Sequence, residues 1–254
     1  MCTLVVAWRA FEGTPVAVAA NRDEAVGRPS TPPAVVDPPA GSDGTPRIVA
    51  PRDDEAGGTW IGYNGAGVLA AVTNRWTDRD VEGERSRGLL VRDALAERSA
   101  ENATRAVERE LDARTYDSFN LLLCDADAAI LLSWDGRRRR VSNLAPGVHV
   151  VMNVGHDDAF DVPERRREPG ERQVESARLL RADLAPEPGE TVERWLDRAG
   201  AALGDHDYGV CVHGDGFGTR SASLIALDAD GRGTYRYADG PPCRTPYRAL
   251  EAEI

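Results

Sequence analysis

Cys2 stands directly behind Met1 and ahead of the apolar run TLVVAW. Loss of Met1 places a thiol and an α-amine on one residue, with reference pKa values of about 8.5 and about 7.7. The amine is then basic enough to take the thiol proton, so such a cysteine acts as a nucleophile without a histidine partner. Methionine aminopeptidase acts before small residues, and the mature chain is expected to begin at Cys2. A second chemical cluster closes VAVAANRDE (16–24), where an apolar run stops on Asn21, Arg22, Asp23 and Glu24. Two further apolar runs also end on asparagine, GVLAAVTN at Asn74 and VHVVMN at Asn153. An asparagine at a strand end brings an uncharged donor and acceptor to the rim of a sheet. Turn chemistry explains any one of the three, whereas all three beside Cys2 and Asp23 point to a site.

Positioning these residues requires a hairpin. TLVVAW and VAVAA flank a turn near residues 11–14, and a short loop there sets Cys2 opposite Asp23 at one rim. Asp23 is then expected to hold the Cys2 amine by a charge-assisted hydrogen bond, with the amide of Asn74 or Asn153 facing a developing oxyanion. Arg22 and Glu24 read either as a structural ion pair or as ligand contacts. Trp60 and Trp76 flank the Asn74 run, as core residues or as walls of an apolar pocket.

The remaining elements follow from pattern. Ten short runs rich in β-formers, bounded by Gly, Pro, Asn or Asp, are expected as strands: TLVVAW, VAVAA, TWIGY, GVLAAVT, FNLLLC, AAILLSW, VHVVM, YGVCVH, SASLIAL and TYRYA. Helical periodicity appears in two paired blocks, 86–113 and 171–203. The proline-rich stretch 28–46 reads as an irregular surface loop. The Asp135-Gly136 pair predicts a hairpin that carries the arginines 137–140 onto a solvated second strand. Strands at both ends with helices in blocks between them give an α+β chain of one domain over 1–254, without regular βαβ alternation.

Forty-two acidic residues face 31 basic ones, all of them arginine, for a net charge of -11. This balance disfavours nucleic acid and anionic membrane as partners; the acid excess with arginine in place of lysine points to a salt-rich cytoplasm, and a GC-rich genome would also favour arginine. LVVAW is far shorter than the roughly 20 apolar residues of a membrane span and no basic region precedes it, so a cytoplasmic location is expected. Cys2, Cys124, Cys211 and Cys243 show no paired spacing, and Cys124 and Cys211 read as buried inert thiols. His213 and Asp215 in HGDGFGTR (213–220) read as part of a Gly-rich turn before a strand, and no metal is expected.

MCTLVVAW, ANRDE, RPSTPP, AGGTWIGYNGAGVLAAVTNRW, SRGLLV, FNLLL and HGDGFGTRSASLIAL, in this order along nearly the whole chain, resemble the NRDE family, which includes the transport and Golgi organisation protein 2 group. The resemblance implies a layout similar to N-terminal nucleophile hydrolases of the choloylglycine hydrolase and penicillin acylase branch, with a four-layer αββα sandwich of two mostly antiparallel sheets. It implies Cys2 as nucleophile, Asp23 as the acid that orients the amine, Asn74 as the oxyanion-hole amide and Asn153 as the second amide. Asn21, Arg22, Glu24 and Arg220 are carried over as ligand contacts. Ala20 stands where that branch places an arginine, and Arg22 is read as pointing from the opposite strand face. The implied activity is hydrolysis of a C–N amide, or of an acyl thioester, in a small molecule. The alternative is a carrier on the same scaffold for haem or an acyl lipid, haem being a ligand and no cofactor being required. Oligomeric state is not readable from the sequence.

Overall fold

The apolar runs alternate their buried faces along most of the chain, and in the computed structural model they pair into two antiparallel sheets. The structure describes residues 2–37, 44–79, 81–251 and 254; the expected removal of Met1 concerns a residue outside these. In chain order the strands and helices are β1 (Thr3–Phe11), β2 (Thr14–Ala25), β3 (Ser30–Val36), β4 (Ile48–Asp53), β5 (Ile61–Asn64), β6 (Leu69–Asn74), α1 (Arg87–Ala94), α2 (Ala100–Ala113), β7 (Phe119–Cys124), β8 (Ala129–Trp134), β9 (Arg139–Asn143), β10 (Gly147–Met152), β11 (Gly155–His156), β12 (Ala159–Phe160), α3 (Arg167–Asp183), α4 (Val192–Gly204), β13 (Phe217–Leu227), β14 (Gly233–Ala238) and β15 (Arg248–Ala249). The first sheet runs β12-β11-β10-β1-β2-β13-β14-β15, and the second runs β3-β4-β5-β6-β7-β8-β9.

Three apolar layers hold four structural layers together. Between the sheets, Leu4, Val6, Val18 and Ile225 of the first meet Ile61 and Leu122 of the second. Outside the first sheet, Val5, Ala17 and Leu224 pack against Leu180 and Trp195 of α3 and α4. Outside the second, Val68 and Leu121 pack against Leu90 and Leu111 of α1 and α2. Full burial of each large side chain contributes about 1.5–3 kcal/mol, and the resulting order is helix, sheet, sheet, helix. Ser86, Ser99 and Thr191 cap α1, α2 and α4 by accepting from the main-chain N–H groups of Gly88, Asn102 and Arg194. The helices fall in the two blocks that periodicity indicates, although α3 begins earlier than expected.

Several expectations need correction. The stretch 28–46 contains the edge strand β3, whose pairing with β4 shifts between Thr31 and Ala34. Pro32 and Pro33 occupy that irregularity, where an edge strand tolerates missing N–H donors; residues 38–43 lie outside the described ones. YGVCVH (208–213) forms no strand. Gly209 takes a left-handed φ of 66° after a short 3-10 turn, and only His213 bridges to Gly218. Two of the four consecutive arginines, Arg137 and Arg138, lie in the turn, where their main-chain N–H groups donate to Asp135. Arg139 and Arg140 enter β9, and Arg139 pairs with Glu108 and Asp112 of α2.

At the rim opposite Cys2, the turns β5–β6 and β13–β14 meet through Gly67 and Gly231. A Cβ on Gly231 would stand 2.9 Å from the Gly67 nitrogen, and both glycines have positive φ. Side chains are excluded there on both counts.

Candidate functional site

The first hairpin brings Cys2 to the expected rim with its register moved by one. Thr3 pairs with Asn21 and Leu4 with Ala20, so continuing the ladder sets Cys2 opposite Arg22, not Asp23. The cause is a bulge between Trp8 and Phe11, where Arg9 adopts a φ of 48°. Because side chains alternate, one extra residue exchanges faces. Arg22, two residues beyond Ala20 on the same strand, shares its face toward the second sheet, which corrects the reading that set them on opposite faces.

Arg22 is 5% exposed, its guanidinium stacked 4.0 Å from the Trp60 ring centroid. It donates to Ser30 Oγ at 3.2 Å and stands 3.5 Å from Asp53 Oδ2. Burial lowers its pKa against the pull of Glu24 and Asp53. Arg28 holds the same Asp53 oxygen at 2.7 Å. Burial pushes the Asp53 carboxyl up, but the bonds from Arg28 and the Ala56 amide, with the charges of Arg28 and Arg22, leave it below the usual range.

A cavity of about 240 Å³ opens over this group, lined by Cys2, Arg22, Asp23, Glu24, Arg28, Asp53, Thr59, Trp60, Val72, Asn74, Ser86, Arg87 and Gly88. Cys2 Sγ lies 3.7 Å from the Asp23 carbonyl oxygen. Burial raises the thiol pKa, and Asp23 and Glu24 push it the same way. The Asp23 side chain accepts from Thr219 Oγ1 at 2.5 Å, and burial raises its pKa against that bond. Asn74 ends β6 with its side chain exposed at the cavity wall. Gly58 and Gly88 close the wall on the α1 side: a Cβ on Gly58 would lie 2.2 Å from the Gly88 carbonyl carbon. The AGGTW and SRGLL segments thus bring the α1 N-terminus against the entry to β5. Asp53, Arg28, Ser86 and Arg87 are likewise wall residues that the sequence did not single out.

Asn153 is not among the wall residues. It is 1% exposed, and its Nδ2 donates to the Asn74 carbonyl at 2.6 Å while its Oδ1 accepts from Gln173 Nε2 at 3.1 Å. Its amide thus holds β6 against β10 and α3, and the side chain stands behind the cavity wall and not in it. Asn21 faces the helix layer, donating to the Leu203 and Val210 carbonyls at 3.0 Å each. Those bonds commit its donors to the scaffold, in place of the expected ligand contact. Arg220 is the extra residue of a β13 bulge between Thr219 and Ser221, and it lies outside the cavity lining. A second cavity of about 300 Å³ shares Asn74 and Arg87 with the first and adds Trp76, Arg75, Arg79, Arg165 and Arg166.

This rim, with Cys2 and Asp23 closing one hairpin and Asn74 facing them from the other sheet, has counterparts among known proteins. The family model described as "Transport and Golgi organisation 2" matches residues 1–237. The chain belongs to that family. A transport and Golgi organization protein 2 homolog from Bos taurus is 28% identical over 201 residues, covering 72% of each chain. The fold is that of N-terminal nucleophile hydrolases. A variant of conjugated bile acid hydrolase from Clostridium perfringens matches with a TM-score of 0.58 at 13% identity, over 98% of this chain and 92% of that one. Penicillin V acylase from Agrobacterium tumefaciens matches at 0.54 and 15% identity, over 94% and 83%. At such identities the likeness concerns the scaffold. No helix among the described residues is long and apolar enough to cross a membrane.

Proposed function

We propose that this chain is an N-terminal cysteine hydrolase that cleaves a C–N amide, or an acyl thioester, of a small molecule. The observation that supports it is convergence: Cys2 just ahead of β1, Asp23 of β2 and Asn74 of β6 line one cavity. With Met1 removed, the α-amine takes the thiol proton and the sulfur attacks the substrate carbonyl carbon. The oxyanion accepts from the Asn74 amide. The C–N bond then breaks, the departing nitrogen takes the proton back from the ammonium, and water cleaves the thioester with the amine again as base. Asp23 orients that amine, itself fixed by Thr219. The arginines of the adjoining cavity suit a substrate that carries a carboxylate or phosphate.

A second reading is a carrier for haem or an acyl lipid in the same cavity, without turnover at Cys2. Intact mass after incubation with acyl-amide, acyl-thioester and haem panels separates the two. The hydrolase gives an acyl adduct on residue 2 that Cys2→Ala abolishes. Saturable binding without any adduct supports the carrier. Retention of Met1 in the native host removes the amine-as-base mechanism altogether.

A further inference from the structure

Behind the cavity, three separate segments bring together two histidines and two cysteines that the reaction above does not use. His206 lies in the turn after α4, Cys211 and His213 lie on the way into β13, and Cys243 follows β14. One ligand atom from each falls within 4.8 Å of all the others. His213 Nε2 stands 3.6 Å from Cys211 Sγ and 3.2 Å from Cys243 Sγ. Around a tetrahedral zinc ion with Zn–S of about 2.3 Å and Zn–N of about 2.0–2.1 Å, neighbouring ligands stand about 3.5 Å apart. The cluster is thus already near the size such an ion requires. The His206 and His213 rings meet edge to face with centroids 5.2 Å apart, so two imidazoles enter from different directions.

We infer that His206, Cys211, His213 and Cys243 form a structural zinc site. Two thiolates and two imidazoles are a donor set that selects a soft or borderline metal over magnesium or calcium. Four protein ligands fill the tetrahedron, which leaves no position for a substrate or a reacting water. Sequence spacing hides the site, because Cys243 is brought in by tertiary packing: a Cβ on Gly204 would lie 3.0 Å from the Cys243 nitrogen, so only glycine lets the segments approach this closely.

The ion pins the loop that supports the candidate site. Val212, between two of the ligands, donates from its main-chain nitrogen to Thr219 Oγ1 at 2.8 Å, and that hydroxyl donates onward to Asp23. The same loop gives its Val210 carbonyl to Asn21. Zinc therefore tethers the β13 entry and the segment after β14 to the back of the Asp23 strand.

The test uses the full chain, stripped of metal, kept reduced and titrated with Co²⁺. A closed site of this kind gives tetrahedral cobalt bands with thiolate-to-metal charge transfer, saturating at one ion per chain, bleached by Zn²⁺ and accompanied by a rise in melting temperature. Cys243→Ser removes an exposed ligand without touching the core. It should halve the charge-transfer intensity and weaken metal binding by more than the ~10–100-fold that loss of an outer partner costs. Cys2→Ala should leave the bands intact, so the readout does not depend on turnover. Reduced wild-type protein without these bands would overturn the assignment. So would bands that survive Cys243→Ser but vanish in Cys2→Ala, or a native chain whose Cys211 and Cys243 are joined as a disulfide.

Discussion

Asn153 Nδ2 donates to the main-chain carbonyl of Asn74 across the gap between the two sheets, at 2.6 Å. The bond ties the last residue of β6 to the end of β10, while Trp76 N–H donates back to the Asn153 carbonyl at 2.9 Å. The placement of Asn74 relative to Cys2 therefore rests on a side chain that never reaches the cavity. Asn120 adds a second strap, donating to the Met152 carbonyl at 3.0 Å.

Asn153→Ala leaves Gln173 Nε2 and the Asn74 carbonyl without their partner. The expected loss is about 1–3 kcal/mol for each group left unpaired, measured by urea unfolding. Asn74→Ala, at an exposed position, should change stability by no more than about 0.5 kcal/mol and, under the hydrolase reading, slow acylation of Cys2. Equal stability losses for both variants would contradict the division between strap and donor.

Asp23→Asn keeps the shape and removes the charge next to the nucleophile. Under the hydrolase reading a shielded charge-assisted bond worth about 1.5–3 kcal/mol is weakened, so turnover falls about tenfold to a few hundredfold with ligand affinity nearly unchanged. The thiol alkylation rate, followed against pH, should change with it. Superimposed profiles for wild type and variant exclude Asp23 as the group that tunes Cys2.

Arg22→Ala removes the cation from Trp60 and one of two arginines from Asp53. Loss of the stacking alone should cost about 0.5–2 kcal/mol, with Asp53 still held by Arg28. Trp60 emission should shift toward that of a wetter indole. An unchanged emission spectrum together with unchanged stability would show that the stack is not kept in solution.

His149 and Asp157 predict a pH window for stability. His149 Nδ1 lies 2.7 Å from Asp157 Oδ2 and its Nε2 lies 2.7 Å from the Ala145 carbonyl. Burial alone would lower the His149 pKa, but the bonds to Asp157 and Ala145 raise it, and the same contact lowers that of Asp157. The histidine term is complete below about pH 6.5 and disappears as pH rises through the raised value; the aspartate term is complete above about pH 4 and disappears as pH falls through the lowered one. The difference in melting temperature between wild type and His149→Gln should therefore peak between about pH 4 and pH 6.5. A difference independent of pH would remove the charge pair as its cause.

The helices were legible because cap and period agree: Ser86, Ser99 and Thr191 precede residues that repeat on one face. The rim was legible because three apolar runs stop on asparagine, although only β6 ends on one and β2 continues to Ala25. What those asparagines do was not, since Asn21 and Asn153 bond to carbonyls remote in sequence that only the packed layers supply. The one-residue register shift was hidden in Arg9, a residue type that gives no sign of a left-handed φ. The apolar string YGVCVH resembles a strand, yet Val210 is buried in the helix-side core and gives its carbonyl to Asn21 where a strand partner would otherwise take it.

The contact between Gly67 and Gly231 is a hard stop between the two sheets. Side chains fill the space along most of the strands and can yield by changing rotamer, whereas backbone pressed on backbone cannot. With the Asn153 and Trp76 bonds closing the other end, the sandwich is pinned at both rims. A methyl group at either glycine would act as a shim at the far rim and load the strap beside the cysteine.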